Sequence, residues 1–249
     1  KGKGEYRHMH VLLTGAAGFV GRVALDMLSE RHQVTAFDIQ DVECASAIVG
    51  DVLDYAAVVA AMQGIDAVVN TIMAPNPTYG GNGPGFTVNV SGVYNLLEAA
   101  CVHGIKRFVH TSSGAVHGGY PQPPETFLRH DLYPLKASGP YALSKVLQEE
   151  LAWNFHDQHG MSIAVIRPWS IIDSKTMLTT DGTIVENYSW GAIDRHDVAS
   201  ALVCALEASD IGYECFYVMA TPGGYRATDV ARTEERLGWK PAITFDADL

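Results

Sequence analysis

A tyrosine and a lysine stand four residues apart in the stretch GPYALSKVLQEE, residues 139–150. In a helix this spacing places the Tyr141 phenol and the Lys145 ammonium on one face, a single turn apart. A free tyrosine has a pKa of about 10, and a nearby cation favours its ionised form, so the pair could transfer a proton near neutral pH. The same spacing also arises by chance on amphipathic helices, so the pair alone leaves both interpretations open. The Gly-Pro break indicates that the helix begins just before Tyr141.

A glycine-rich segment, VLLTGAAGFVGRVALDML, lies between a predicted strand and a predicted helix. Its glycines would allow a tight turn, a close approach of the backbone to a pyrophosphate, and close packing of helix on sheet. The helix N-terminus would offer N–H groups and the positive end of its dipole to the phosphates. Glycines here can also serve packing alone, but the order strand, glycines, helix favours a dinucleotide site. The predicted cofactor contacts in this turn are Gly15, Ala17, Gly18, Phe19, Val20 and Gly21.

Two acidic residues extend this hypothesis. Asp38 closes the predicted strand HQVTAFD, 23 residues after Gly15. A carboxylate there accepts hydrogen bonds from the ribose hydroxyls and repels a 2′-phosphate, which favours NAD over NADP. Asp51, in GDVLD, is either a helix N-cap or a partner for the adenine amino group, with the Val52 backbone close to the ring.

Strand-like runs alternate with helix-like runs along most of the chain. The runs HVLLTG, HQVTAFD, DAVVNTI, KRFVHTSS and SIAVIRP are apolar with little alternation, as in strands buried on both faces. The pattern predicts an α/β, Rossmann-type, doubly wound parallel sheet. We expect a flexible segment at residues 1–8 and a single domain at 9–249. Within it, residues 169–249 are expected to form a small cap over the substrate site at the carboxyl edge of the sheet.

Composition excludes several other classes. The 249-residue chain has a net charge of −11, and no cluster of lysines and arginines suggests a nucleic-acid surface. No apolar run approaches the roughly 20 residues of a membrane helix, and the N-terminus lacks the apolar core of a secretory signal. The four cysteines and ten histidines show no metal-ligand spacing, so we expect no metal and a cytoplasmic, reducing location.

Several motifs, taken together and in order, resemble those of the extended short-chain dehydrogenase/reductases, also called the NAD-dependent epimerase/dehydratase family. They are TGAAGFVG, Asp38, GDVLD, VNVSGVYNLLEAA, RFVHTSSGAVHG, YALSK, AVIRP and RHDVASAL, spread over residues 9–245. Each motif is weakly specific, whereas the ordered set is strong. The resemblance implies an enzyme with a Rossmann-type fold, bound NAD and a small-molecule substrate.

The resemblance also implies particular site residues. Ser113 would be the catalytic serine, Tyr141 and Lys145 the catalytic pair, and Asn89 a residue near the cofactor pocket. Two segments would form the walls of the nicotinamide and substrate pocket. They are Thr71, Ile72 and Met73, and the four residues from Pro168 to Ile171, which include Ser170.

Within the family, the chain is most similar to uronate dehydrogenases in GVYNLLEAA, TSSGAVHGGYPQ and LGWKP. The substrate serine of that group would fall near Pro75, and its substrate-binding arginine has no clear counterpart in IIDSKTMLTT. The substrate contacts predicted for this chain are Pro75, Ser113, Gly114 and Ser170.

These residues suggest a division of labour in hydride transfer. Tyr141 would act as acid and base, while Lys145 would lower the pKa of Tyr141 and bind the nicotinamide ribose. Ser113 would orient the substrate oxygen and stabilise charge developing on it. Ser112 is the competing serine, and either serine could instead only cap a strand end.

Three functions remain open. The first is an NAD-dependent dehydrogenase of a sugar, sugar acid or similar molecule. The second is a nucleotide-sugar epimerase or dehydratase with tightly bound NAD, for which we find no arginine pair suited to a diphosphate. The third is a non-catalytic NAD-sensing protein. The helices around residues 86–103 and 141–159 carry apolar residues on more than one face, which predicts a homodimer or simple burial within one chain.

Overall fold

A computed structural model describes residues 8–74, 84–121 and 125–248. Its strands are β1 (His10–Thr14), β2 (Gln33–Asp38), β3 (Ala47–Val49), β4 (Ala67–Asn70), β5 (Arg107–Thr111), β6 (Ser162–Pro168), β7 (Ser170–Asp173), β8 (Leu178–Thr179), β9 (Ala192–Asp194) and β10 (Tyr213–Val218). Its helices are α1 (Gly21–Ser29), α2 (Tyr55–Ala61), α3 (Pro84–Val102), α4 (Gly139–His159), α5 (Arg195–Glu207), α6 (Pro222–Ala227) and α7 (Val230–Leu237). A short 3-10 helix covers Gly114–His117.

The main sheet has seven strands in the order β10-β6-β5-β4-β1-β2-β3, and every neighbouring pair is parallel. The chain order reverses between β1 and β4, which is the switch point where α/β sheets bind ligands. A second, three-stranded sheet has the order β8-β7-β9. The predicted doubly wound Rossmann-type fold is confirmed.

Alternate residues of the central strands enter two separate apolar clusters. On β1, Val11 and Leu13 pack into one cluster with α1 and α5, whereas Leu12 packs into the other with α2 and α3. Since successive side chains on a strand point to opposite faces, both faces of the sheet are covered by helices. This arrangement explains the continuous apolar runs in the sequence.

Local signals set the helix ends. Helix α4 begins at Gly139, which has a φ of +86°, with Pro140 in its first turn, and Gly160 caps its C-terminus in the left-handed conformation. The Asp54 side chain caps α2 by accepting a hydrogen bond from the Ala57 N–H at 3.2 Å. Asp54, and not Asp51, is therefore the N-cap of this helix.

The C-terminal region departs in part from the sequence expectations. In the segment RATDVARTEERLG, Thr228 is extended and separates α6 from α7, although the residue pattern of the segment suits one helix. Strand β10 joins the main sheet beside β6, and α5 covers the same face as α1. Residues 169–249 thus build the edge of the main domain as well as the small sheet, and their role as a substrate cap stays a prediction.

The other expectations from composition concern membranes and metals. Among the helices of the described ranges, none combines the length and apolarity that crossing a membrane requires. In the same ranges, no group of three or more histidine, cysteine, aspartate or glutamate residues is arranged to hold a metal ion. The four cysteines are free thiols.

Candidate active site

The glycine-rich turn joins β1 to α1 at the carboxyl edge of the sheet. Gly15 has a φ of +76°, and a Cβ on it would lie 2.8 Å from the Ile72 backbone nitrogen. A Cβ on Gly21 would overlap the Gly15 carbonyl oxygen. These neighbours are backbone atoms that cannot move aside, so the turn excludes any larger residue at both positions. Gly18 is exposed, and no side chain caps the start of α1.

Asp38 lies beside this turn, at the end of β2. One of its carboxylate oxygens accepts a hydrogen bond from the Ala17 N–H at 3.0 Å and the other from the Gln40 N–H at 3.0 Å. The glycine-rich turn and the adjacent carboxylate fit the pyrophosphate and ribose of NAD. Of the other predicted contacts here, Val20 is buried at the N-cap of α1, and Phe19 is partly exposed under the Arg195 guanidinium.

The predicted adenine contacts follow β3, next to β2 in the sheet. Asp51 is exposed, and its carboxylate accepts a hydrogen bond from the Leu53 N–H at 2.9 Å. Val52 is buried, and its carbonyl accepts a hydrogen bond from the Asn95 side chain at 2.9 Å. A Cβ on Gly92 would meet the Val52 side chain, so Val52 packs closely on α3. The Asp51 carboxylate is thus accessible to a ligand, whereas the Val52 side chain is buried against α3.

The end of β4 passes directly behind the glycine turn. The Thr71 hydroxyl lies within hydrogen-bond distance of two carbonyls, those of Thr14 at 2.9 Å and Gly15 at 3.1 Å. Ile72 donates its N–H to the Asn70 side chain at 3.0 Å. Met73 follows and is partly buried. The structure does not describe residues 75–83, so the predicted substrate contact Pro75 lies outside the described residues.

Asn89, on α3, ties this segment to α4. Its side-chain oxygen accepts a hydrogen bond from the Ala74 N–H at 2.9 Å, and its amide donates to the Ser144 hydroxyl at 3.2 Å. Ser144 in turn donates to the Tyr141 carbonyl at 2.7 Å. Asn89 is buried, and these bonds make it a residue that positions the first turn of α4.

Ser113, Tyr141 and Lys145 come together where β5 ends against the start of α4. The hydroxyls of Ser113 and Tyr141 share a hydrogen bond, and Ser113 also accepts one from the Ala115 N–H at 3.1 Å. Lys145 is buried, with 2% of its surface exposed, and its Nζ donates to the Thr111 carbonyl at 2.9 Å. Residues from distant parts of the sequence thus form one compact cluster.

The electrostatics of this cluster differ from the simplest expectation. Burial raises the pKa of Tyr141, and the hydrogen bond from Ser113 only partly opposes that effect. Burial also lowers the pKa of Lys145 to about 8, although Glu149 acts in the opposite direction. The expected lowering of the Tyr141 pKa by Lys145 is therefore not seen: burial dominates the shift, and the Lys145 ammonium donates to the Thr111 carbonyl.

A buried ion pair that the sequence did not reveal engages Ser112, the other candidate serine. The Ser112 hydroxyl donates to the Glu149 carboxylate at 2.6 Å. Arg167 donates two hydrogen bonds to the same carboxylate, at 3.0 and 2.6 Å, and a third to the His130 carbonyl at 2.9 Å. Ser112 is thus part of the buried structure, and Ser113 faces Tyr141. In the sequence, the only sign of this ion pair is the position of Glu149 four residues after Lys145, on the same face of the helix.

Besides the ion pair, a buried series of hydrogen bonds links the central strands β4 and β5 to helices α3 and α4. His110 accepts a hydrogen bond from the Asn70 amide at 3.1 Å through Nδ1 and donates through Nε2 to the Gln148 side chain at 3.1 Å. Gln148 donates to the Asn89 carbonyl at 2.6 Å. Burial lowers the pKa of His110 to about 3, so the ring is neutral at physiological pH. This series also went unnoticed in the sequence, because its members come from four different elements.

The remaining predicted contacts follow β6. Pro168 is the last residue of that strand and is buried. Ser170 and Ile171 begin β7 and are partly exposed. A Cβ on Gly114 would overlap the Trp169 ring, so this tryptophan lies against the residue that follows Ser113. The structure therefore places Gly114 against Trp169, which directly precedes Ser170 in the chain.

A parallel doubly wound sheet, a glycine-rich turn and a carboxylate at the end of β2 define a dinucleotide-binding protein of the Rossmann type. The sequence model of the NAD dependent epimerase/dehydratase family matches residues 11–172, and the chain belongs to that family. The predicted family is therefore confirmed, as are an enzyme of this type and NAD as its cofactor.

Individual relatives support the same assignment. The chain is 35% identical to L-arabinose 1-dehydrogenase (NAD(P)(+)) of Haloferax volcanii, over 63% of this chain and 65% of the relative. It is 31% identical to uronate dehydrogenase of Pseudomonas syringae pv. tomato, over 83% of this chain and 73% of the relative. Its fold matches the NAD complex of uronate dehydrogenase from Agrobacterium tumefaciens with a TM-score of 0.76 and 26% identity, covering 96% and 86% of the chains. The predicted likeness to uronate dehydrogenases is thus confirmed.

Proposed function

We propose that the protein is an NAD-dependent dehydrogenase that oxidises a secondary hydroxyl of a sugar, a sugar acid or a similar small molecule. The observation that carries the proposal is the hydrogen bond between the Ser113 and Tyr141 hydroxyls, with Lys145 one helical turn further on. The substrate class is supported by the relatives, which include dehydrogenases of L-arabinose and of uronate.

The three side chains have distinct tasks in this reaction. Tyr141 removes the proton from the substrate hydroxyl, and Ser113 donates a hydrogen bond that orients the substrate oxygen. Burial raises the pKa of Tyr141, so its ionisation needs nearby positive charge, and Lys145 is the cation on the same helical face. Lys145 also binds the nicotinamide ribose. NAD, when bound, accepts the hydride, and the protein provides the geometry.

The substitution Tyr141→Phe tests this assignment. It removes the proton acceptor but keeps the ring, so we expect NADH formation to fall by about 100-fold or more while NAD binding stays within about twofold of wild type. Initial rates at 340 nm measure the first quantity, and titration calorimetry with NAD measures the second. Tyr133→Phe is the matched control, because Tyr133 is 72% exposed. A Tyr141→Phe enzyme that keeps most of its activity would show the assignment to be wrong.

A nucleotide-sugar epimerase or dehydratase is the second candidate. It is favoured by a 26% identity to dTDP-glucose 4,6-dehydratase of Streptomyces antibioticus over 95% of this chain. In such a reaction the cofactor is reduced and reoxidised within one turnover. Conversion of a nucleotide sugar without net absorbance at 340 nm would therefore support this candidate over a dehydrogenase. Tight NAD binding without turnover of any alcohol would instead point to an NAD-sensing protein.

We also propose that the protein forms a homodimer through α3 and α4. These helices pack on each other, yet they leave Tyr94, Val102 and Leu143 exposed by 45%, 60% and 45%. Apolar side chains of this size on adjacent helices favour a self-complementary interface. We expect sedimentation to give a dimer for wild type and a monomer for Tyr94→Glu combined with Val102→Glu. Val49→Glu, at the far edge of the sheet, should remain dimeric; a monomeric wild type would exclude the proposal.

A further inference from the structure

Two tryptophans form one side of the site next to Ser113. The rings of Trp169 and Trp190 lie 4.5 Å apart between centroids, and both are partly exposed. The Trp169 ring lies over Gly114, and a Cβ on Gly191 would come within 2.7 Å of the Trp169 side chain. The glycines therefore hold the indole in a slot that larger residues would close. We name Gly114, Trp169, Trp190 and Gly191 the tryptophan wall.

The tryptophan wall adjoins the reacting groups. Gly114 directly follows Ser113, whose hydroxyl bonds to that of Tyr141. We therefore expect a molecule whose hydroxyl reaches Tyr141 to lie close to the Trp169 side chain, which is partly exposed. An indole face offers a flat apolar surface, which matches the C–H face of a sugar ring.

Two uncharged hydroxyl groups lie next to the tryptophans in the chain, those of Ser170 and Ser189. The Ser189 hydroxyl donates to the Ser170 hydroxyl at 2.7 Å, and Ser170 begins β7 directly after Trp169. This bond leaves the Ser170 hydroxyl with a proton to donate and a further lone pair. Such a group suits another hydroxyl, which both donates and accepts hydrogen bonds.

The segment of chain that connects Trp169 to Trp190 is acidic. The segment 170–191 contains three carboxylates and a single lysine, Lys175, which is exposed. Arg195, which follows β9, is paired with Asp173 at 2.7 Å.

One exposed cation does lie near the 3-10 helix that begins at Gly114. The Lys136 Nζ is 4.2 Å from the centre of the Tyr120 ring, and the Lys136 backbone bonds to Val116 and Gly119. The ammonium thus rests on an aromatic face, and the side chain is exposed to solvent. Lys136 is therefore the residue to vary if an anionic substrate is found.

We infer that the substrate is a neutral sugar, an aldose without a carboxylate or phosphate, which stacks one C–H face on Trp169 and bonds a hydroxyl to Ser170. This inference rests on the proposed dehydrogenase function and narrows its substrate class. In the reaction, the substrate loses a hydride to NAD and a proton to Tyr141, and the oxidised carbon gains a second bond to its oxygen.

A panel of matched substrates tests the inference. D-galactose is compared with D-galacturonate, D-glucose with D-glucuronate and D-glucose 6-phosphate, and L-arabinose is added as a neutral pentose. With NAD, we expect the neutral member of each set to have a kcat/KM at least about tenfold above the charged members, since the acidic segment repels anions. A preference for a charged member would overturn the inference and leave the dehydrogenase function standing. If Lys136→Met then lost that preference, Lys136 would be the residue that binds the anionic group. No NADH from any compound, with NAD binding intact, would overturn both.

Variants of Trp169 test the stacking itself. We expect Trp169→Ala to raise the KM for the preferred neutral sugar about tenfold and Trp169→Phe to restore most of that loss, because the phenyl ring keeps an apolar face. NADH affinity, measured by fluorescence, should stay unchanged in both variants. Trp153→Ala is the control, because Trp153 is half exposed on α4. An unchanged KM in Trp169→Ala would overturn the stacking.

Discussion

The cofactor half of the site, residues 10–74, and the tryptophan wall are built in different ways. In the cofactor half, the tight approaches are between backbone atoms, as when Gly15 lies against residues 71 and 72. In the tryptophan wall, the tight approaches are between glycines and a side chain, because Gly114 and Gly191 both face Trp169. Backbone atoms of a buried sheet cannot shift, whereas a partly exposed indole can rotate. We therefore expect the cofactor half to tolerate almost no change and the tryptophan wall to tolerate some.

The largest expected effect is that of Gly15→Ala in the cofactor half. The new Cβ would meet backbone atoms at 2.8 Å in a residue with positive φ, so the turn must open. We expect NAD affinity, measured by calorimetry, to fall about 100-fold or more. Gly64→Ala is the matched control, since Gly64 has a φ of +75° and open space around a Cβ. It should cost about 1–2 kcal/mol of stability and leave NAD binding intact. If Gly15→Ala and Gly64→Ala bound NAD equally well, the close backbone approach at Gly15 would not be required for NAD binding.

A smaller but still large effect is expected at the ion pair beneath the two regions. Glu149→Gln leaves the Arg167 guanidinium buried without its counter-charge, and it weakens the acceptor for Ser112. We expect a loss of about 3–5 kcal/mol in the free energy of unfolding, measured by urea denaturation. Glu150→Gln, at an exposed neighbouring position, should change stability by less than about 0.5 kcal/mol. A Glu149→Gln protein as stable as wild type would mean that the ion pair contributes little.

The smallest effect is expected from Gly191→Ala in the tryptophan wall. The added methyl group would displace the Trp169 side chain, which can move because it is partly exposed. We expect the KM for the sugar to rise by about three- to tenfold, with NAD affinity and stability close to wild type. Substrate kinetics and NAD titration on one preparation separate the two regions. A loss of NAD affinity comparable to that of Gly15→Ala would show that the two regions are not independent.

Much of the cofactor half could be predicted from the sequence. The positions of Gly15, Gly21 and Asp38 follow from short-range requirements, since a turn between a strand and a helix admits few residue types. Helix ends were equally local, as at Gly160, which adopts the left-handed conformation with a φ of +61°. Even here the N-cap of α2 is Asp54, three residues beyond the candidate Asp51, because the turn at Asp51 delays the helix.

The sequence alone determined that Tyr141 and Lys145 lie one turn apart on a helix, because helical spacing is a property of the chain itself. Only the tertiary structure decided that Ser113 faces Tyr141 while Ser112 bonds to Glu149, since adjacent residues leaving a strand point in opposite directions. The same holds for the tryptophan wall, which joins Gly114 to residues more than 50 positions away. Such contacts depend on the order of strands in the sheet, and neither periodicity nor local spacing contains that information.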